Sequence, residues 1–396
     1  MLIKNKHHLD DLISDLIKII SETRAGLFEL NRKITLDTSY WISEDYKTVK
    51  AYLENYIKNH YSIKLVKNIK PKGIILIILS YNEPFILSII PLLNALIIGN
   101  EVILKPSREA ESFVRMIWQE SGIIEKYRLN LKIVSPKTHN EITDLIQSVR
   151  AVYFFGSHKV AQSISKICGE YYVEFYPEIE TADSKIFNKN QSAIKKDAIL
   201  TLKESFSHSG QTCQRIQGVF VQRNFYNEYI EILKEEFIKL CQSKDLNKFV
   251  DNNYASAREV MVKLLSIDVD KSQADEVVKI KSLPLLVINP KQDSEFIKNA
   301  YFLPVLWISP FDSKEQLIRM LNSRKFLLGL NIQSYDDDFV KHIISNTRFT
   351  RYTVNTTHTN IRLQEGWGGS WPSGFSGYRS WIEHFSDNYI VIDESK

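Results

Sequence analysis

Between Gly73 and Gly99 the chain carries a nearly unbroken apolar stretch, GIILIILSYNEPFILSIIPLLNALIIG. Its interruption constrains what the chain can fold into. Asn82, Glu83 and Pro84 cut it into runs of seven and fourteen residues, each shorter than the ~20 residues a membrane-spanning helix needs. A buried strand, a turn and a buried helix are expected instead, with no membrane span. The alternation of strand and helix then continues. EVILKPS (101–107) precedes a helix near 110–121, LKIVSP (131–136) one near 139–149, and AVYFFGS (151–157) one near 158–168; YYVEF (171–175) closes the series. Apolar strands alternating with helices predict a parallel sheet covered on both faces.

Apolar positions at helical spacing predict helices over 9–35 and 44–58 ahead of this block. A second α/β block follows from about 183 to 353, with helices near 193–206, 224–242 and 313–323. Its apolar runs are QGVFVQ (217–222), LPLLVI, PVLWIS and LLGLNIQS. The 250–285 stretch is polar and irregular. A tail of RYTVNT, a glycine cluster and NYIVID ends in a predicted strand. No internal repeat or low-complexity segment is visible.

Composition excludes several classes. Hydrophobic residues at 44% and charged residues at 25% belong to an ordinary globular chain. A net charge of +4, from 51 basic and 47 acidic residues, argues against a nucleic-acid partner. Three cysteines, Cys168, Cys213 and Cys241, cannot make a disulfide framework, so a reducing cytoplasm is expected. The N-terminus lacks the apolar core and cleavage site of a signal peptide. Glycine is scarce, at 14 of 396, so each one that remains marks a place where backbone must turn or approach closely.

The search for chemistry begins with exclusions. No H-E-x-x-H and no C-x-x-C is present, so no metal site is expected. There is no G-x-S-x-G elbow and no G-x-G-x-x-G after a strand. The segment 369–376 has P-loop spacing without its lysine. What remains is a set of polar strand ends, Ser80-Tyr81-Asn82, Lys105-Pro106-Ser107 and Gly156-Ser157. In an open parallel sheet, ligands bind beyond such ends. A lysine there can donate to a ribose or phosphate, and a Gly-Ser opening a helix can present backbone N–H groups to a pyrophosphate. Equally, these residues can be solvated turns. Cys213 lies in Phe206-Ser207-His208-Ser209-Gly210-Gln211-Thr212-Cys213-Gln214, a polar segment off any apolar stripe. By itself that spacing leaves a structural and a catalytic cysteine both open.

Taken together, these segments resemble the aldehyde dehydrogenase superfamily. Residues 71–107 resemble its P-x-G-V…P-W-N-x-P…A-L-x-x-G-N-x-V-x-x-K-P-S. F-F-G-S (154–157) is similar to F-T-G-S, and F-S-H-S-G-Q-T-C (206–213) to F-x-N-x-G-Q-x-C. W-G-G…S-G (367–374) and the later F-S (385–386) are similar to its tail. The likeness covers roughly 70–390, in the family's order. It implies an α/β fold with a Rossmann-type cofactor domain over 1–182, completed by 354–386. It also implies a catalytic domain over 183–353 and oligomerisation strands at 60–70 and 387–396.

The resemblance also implies roles. Cys213 would be the nucleophile and attack an aldehyde as thiolate. Asn82 would share an oxyanion hole with the Cys213 N–H, and Glu178 would activate water against the resulting thioester. NAD or NADP would lie against Ser80, Tyr81, Lys105, Ser107, Arg108, Gly156, Ser157 and Phe302. The departures are specific. Glu180, Thr181 and Ala182 stand where the family has two glycines and a lysine. Ala300 replaces the glutamate that normally binds the nicotinamide ribose, and Leu303 a glycine. Arg108 replaces an acid after K-P-S and could pair with a 2′-phosphate, favouring NADP. The expected reaction is oxidation of an aldehyde to an acid by a homodimer or homotetramer. The alternatives are coenzyme A acylation, reduction of an acyl thioester, or a weakened member kept for binding or assembly.

Overall fold

The computed structural model describes residues 6–59, 69–324, 326–359, 368–374 and 381–388. Three N-terminal helices, Lys6–Glu22, Arg24–Thr35 and Ser39–Asn59, bury one apolar face each; Leu12, Leu16 and Leu27 are fully inaccessible. The single helix expected over 9–35 is therefore two, broken at Thr23, where φ −92° and ψ 8° leave the helical region.

Strand β1 (Ile69–Pro71) pairs antiparallel with β14 (Ser386–Asn388). Lys72 ties this pair to the rest, donating to Asp387 Oδ1 at 2.8 Å and to Glu174 Oε2 at 2.7 Å. Most of the segments 60–70 and 387–396, and the NYIVID strand beyond Asn388, fall outside the described residues.

The alternating block forms a five-stranded, all-parallel sheet: β2 (Ile74–Ile78), β3 (Glu101–Lys105), β4 (Leu131–Ile133), β5 (Ala151–Gly156) and β6 (Glu174–Ile179), in the order β4-β3-β2-β5-β6. The order reverses direction between β2 and β5, so connections leave both faces and a crevice opens at the carboxyl ends of those two strands. Pro84 at the first turn starts the helix Pro84–Ile98, of which every residue but Ile86 is buried. Among the described residues no helix is long and apolar enough to cross a membrane. The closing strand differs from expectation. β6 begins at Glu174, because Tyr172 turns out to solvent with a left-handed backbone (φ 57°), so Glu178 lies on the strand rather than after it.

The second sheet has seven strands in the order β13-β12-β7-β8-β11-β10-β9. They are β7 (Asp183–Asn188), β8 (Ile216–Gln222), β9 (Glu276–Val278), β10 (Leu285–Ile288), β11 (Val305–Phe311), β12 (Gly329–Ser334) and β13 (Arg351–Val354). Only β9 is antiparallel. Each sheet builds its own core, the second around Phe220, Leu286, Trp307 and Leu330. The irregular 250–285 stretch contains a real helix, Glu259–Lys271. Its exposed Val260, Leu264 and Ile267 obscure the apolar period.

Candidate active site

Cys213 stands in the turn between the Ile194–Phe206 helix and β8. That turn is sharply folded: His208, Ser209 and Gly210 all take positive φ (52°, 54° and 80°). At Gly210 no side chain is possible, since a Cβ would come within 2.4 Å of the Leu303 carbonyl. The N-terminal helices brace the turn. Gln211 Nε2 donates to Thr35 O at 2.8 Å, and His208 pairs with Asp45 at 3.0 Å beneath the Trp41 ring.

The Cys213 thiol donates to Glu178 Oε1 at 3.8 Å, bringing a loop of the seven-stranded sheet against β6 of the five-stranded one. Burial, then the negative charges of Glu83 and Glu178, push the thiol well above its ordinary range. Burial and Glu83 likewise push Glu178 well above the usual carboxylate range. Both shifts favour the protonated forms of the pair. Among the described residues, buried Glu178 Oε2 has no hydrogen-bond partner. Thr181 Oγ1 donates to the Cys213 carbonyl, so the same short segment holds the cysteine's side chain and its backbone.

Asn82, at the end of β2, accepts from Ser80 Oγ at 2.6 Å and donates Nδ2 to Gln211 O at 3.0 Å and Glu83 Oε2 at 3.3 Å. An oxyanion reaching Nδ2 therefore competes with Glu83. Glu83 itself occupies the N-cap position of the Pro84–Ile98 helix but makes no cap bond there. Its Oε1 instead accepts from Thr212 Oγ1 at 3.3 Å. Burial raises its carboxyl to about 7, against the opposing charge of His208.

One cavity of about 410 Å³ gathers Ser80, Tyr81, Asn82, Lys105, Ser107, Gly156, Ser157, Glu178, Cys213 and Phe302. Arg108 does not join them; it is exposed and stands outside the lining. The lining also holds Glu83, Val160 and Glu180, which sequence reasoning assigned no function. Glu180 was visible as a charge replacing a family glycine, whereas Glu83 carried no signal beyond its place beside Asn82. No group of metal-ligating side chains occurs among the described residues.

The donors that could hold a nucleotide sit at the carboxyl ends of β3 and β5. Burial depresses the Lys105 ammonium, and among the described residues its Nζ makes no hydrogen bond, so an anion or ribose hydroxyl would gain a free donor. At the N-terminus of the His158–Glu170 helix, Ser157 makes no side-chain cap bond. That position is filled from outside: Glu180 Oε2 accepts from the His158 N–H at 2.7 Å, and Oε1 meets His158 Nδ1 at 3.0 Å. Phe302 stands on the cavity wall, and Ala300 is not among the lining residues. The donor set thus fits the adenosine side of a dinucleotide, and it fits a diphosphate once Glu180 yields the helix end.

Comparison with known proteins agrees with this geometry. A dog protein named aldehyde dehydrogenase, dimeric NADP-preferring, is 24% identical over 78% of this chain and 69% of its own length. Aldehyde dehydrogenase 1 of Entamoeba histolytica is 24% identical over 96% of the chain and 72% of its own. The solved structure of an NAD-dependent aldehyde dehydrogenase from Sinorhizobium meliloti superposes with a TM-score of 0.81 at 16% identity, covering 97% of this chain and 81% of the other. The model of the aldehyde dehydrogenase family matches residues 7–393. With the parallel sheets and the cysteine-bearing cavity between them, that match over nearly the whole length shows that the chain belongs to the aldehyde dehydrogenase family.

Proposed function

We propose that the protein oxidises an aldehyde to a carboxylic acid with NAD or NADP, through a thioester on Cys213. The observation that carries this reading is the Cys213–Glu178 contact at 3.8 Å on the wall of a cavity that also holds Asn82 and Lys105. With its carboxyl ionised, Glu178 Oε1 is placed to take the thiol proton as sulfur attacks the carbonyl carbon. The oxygen that gains charge is met by Asn82 Nδ2. Lys105, Ser107, Gly156 and Ser157 would hold the nucleotide. A bound nicotinamide would supply the two-electron acceptor that turns the thiohemiacetal into a thioester. Once that proton has passed to solvent, Glu178 takes another from the attacking water, and sulfur leaves as thiolate while the acid forms.

A second reading has its own support. Glu178 is buried, held against the thiol and strongly raised, which makes it a poor base toward water at neutral pH. A thiol acceptor such as coenzyme A needs less of it, so thioester transfer, or its reverse, acyl-thioester reduction, is the alternative.

The three free cysteines support a reducing, cytoplasmic setting, and the family's named dimeric member supports a homo-oligomer. The test is to supply NAD or NADP with an aldehyde panel, with and without coenzyme A, and follow reduced nicotinamide. Aldehyde-dependent reduction lost in Cys213→Ser is expected. No reduction under any condition would sink both enzyme readings, and acceleration by coenzyme A would favour the second.

A further inference from the structure

We propose that Glu180 is a built-in substitute for the cofactor's diphosphate, and that it sets nucleotide affinity by occupying the N-terminus of the His158–Glu170 helix. The inference rests on the dehydrogenase reading above.

A helix of 13 residues leaves its first backbone N–H groups without intrahelical partners, and its dipole draws an anion to them. In a parallel α/β sheet that end, following the Gly156-Ser157 turn of β5, is where a diphosphate would bind. Here the anion is part of the chain. The Glu180 carboxylate takes the His158 N–H at 2.7 Å, and its other oxygen is held at 3.0 Å by the His158 ring. The side chain is only 14% exposed and lies on the same cavity wall as Lys105, Gly156 and Ser157. Ser157, the local residue that could cap the helix, makes no cap bond, so Glu180 is the cap.

A diphosphate arriving there needs the same N–H and meets a negative charge already in possession. Binding therefore requires the Glu180 side chain to leave. A glycine at this position, as in the family motif, imposes no such competition. The linkage reaches further, because Glu178 touches the Cys213 sulfur and Thr181 holds the Cys213 carbonyl. Displacing Glu180 moves the middle of the segment that grips the nucleophile.

The test compares ADP, NADP and adenosine binding, by calorimetry, to the wild type, Glu180→Gly and Glu180→Gln. Glycine removes both charge and cap. Glutamine keeps a hydrogen-bonding side chain without the charge and guards against a glycine variant that fails to fold. ADP and NADP are expected to bind at least about tenfold tighter to Glu180→Gly, with Glu180→Gln between it and the wild type. Adenosine, which lacks the diphosphate, should stay within roughly twofold. Unchanged or weaker ADP binding in both variants would overturn the proposal. So would adenosine tightening in step with ADP, or no ADP binding by any form. Aldehyde oxidation with unaltered ADP affinity would leave the dehydrogenase reading standing. Tighter ADP binding without oxidation would do the reverse.

Discussion

Cys213 is surrounded by acids rather than by the cations that usually activate a thiol. Burial and then Glu83 hold its proton on, so its reactivity should climb through neutral into alkaline pH. Glu83 titrates at about 7, so its charge is developed before the thiol, raised well above its ordinary range, begins to ionise. Glu83→Gln removes that charge. Alkylation of Cys213 by iodoacetamide at pH ~8 should then run roughly three- to tenfold faster, with the pH profile displaced downward. A profile that stays put or moves up would show that Glu83 does not act on the thiol. At this scale the sequence was informative where a residue type has one plausible job. Cys213, Asn82 and Lys105 could be named from their segments and all reach one cavity. Glu83 could not, because an acid before a helix proline reads as an ordinary N-cap. Only the fold shows its carboxylate turned away from the helix toward Thr212.

The turn that carries Cys213 is the element most exposed to backbone error. Gly210→Ala would place a methyl 2.4 Å from fixed backbone at Leu303, in a conformation with φ 80°. The combined strain and overlap should cost about 2–4 kcal/mol by chemical denaturation. Loss of activity should exceed that of any surface glycine change, and a variant as stable as wild type would contradict the geometry. Most elements were legible because period and length agreed: 75–80 with 85–98 became β2 and the Pro84–Ile98 helix. Three were not. The break at Thr23 hides within one continuous apolar period. β6 was placed too early because Tyr171 and Tyr172 resemble strand residues while facing solvent. The Glu259–Lys271 helix buries Leu265 and Val269 but leaves Val260, Leu264 and Ile267 exposed, which blurs its apolar period.

Across the whole molecule, a buried acidic cluster should invert the usual pH dependence of stability. Asp37 and Glu83 are raised to about 7, chiefly by burial. His208, which burial alone would depress, is raised to about 10 by Asp45 and Asp37. Each group binds its proton more tightly folded than unfolded. Their stabilisation is complete below the unfolded values and is lost as pH rises through the folded ones. The melting temperature should therefore fall from pH 5 to 9, first through the two carboxyls and then through His208. Glu83→Gln should flatten the part below about 7. A melting temperature that climbs across this range would refute the assignment.

The active cavity also joins two bodies with separate cores. Cys213 arrives from the seven-stranded sheet, Glu178 and Asn82 from the five-stranded one, and the residues between Glu178 and Thr181 are the stitch. A slip along the seam, too small to expose either core, would part Cys213 from Glu178 and Asn82. On the function proposed above, activity should then be lost before the fold, and residual structure would be no sign that the catalyst survives.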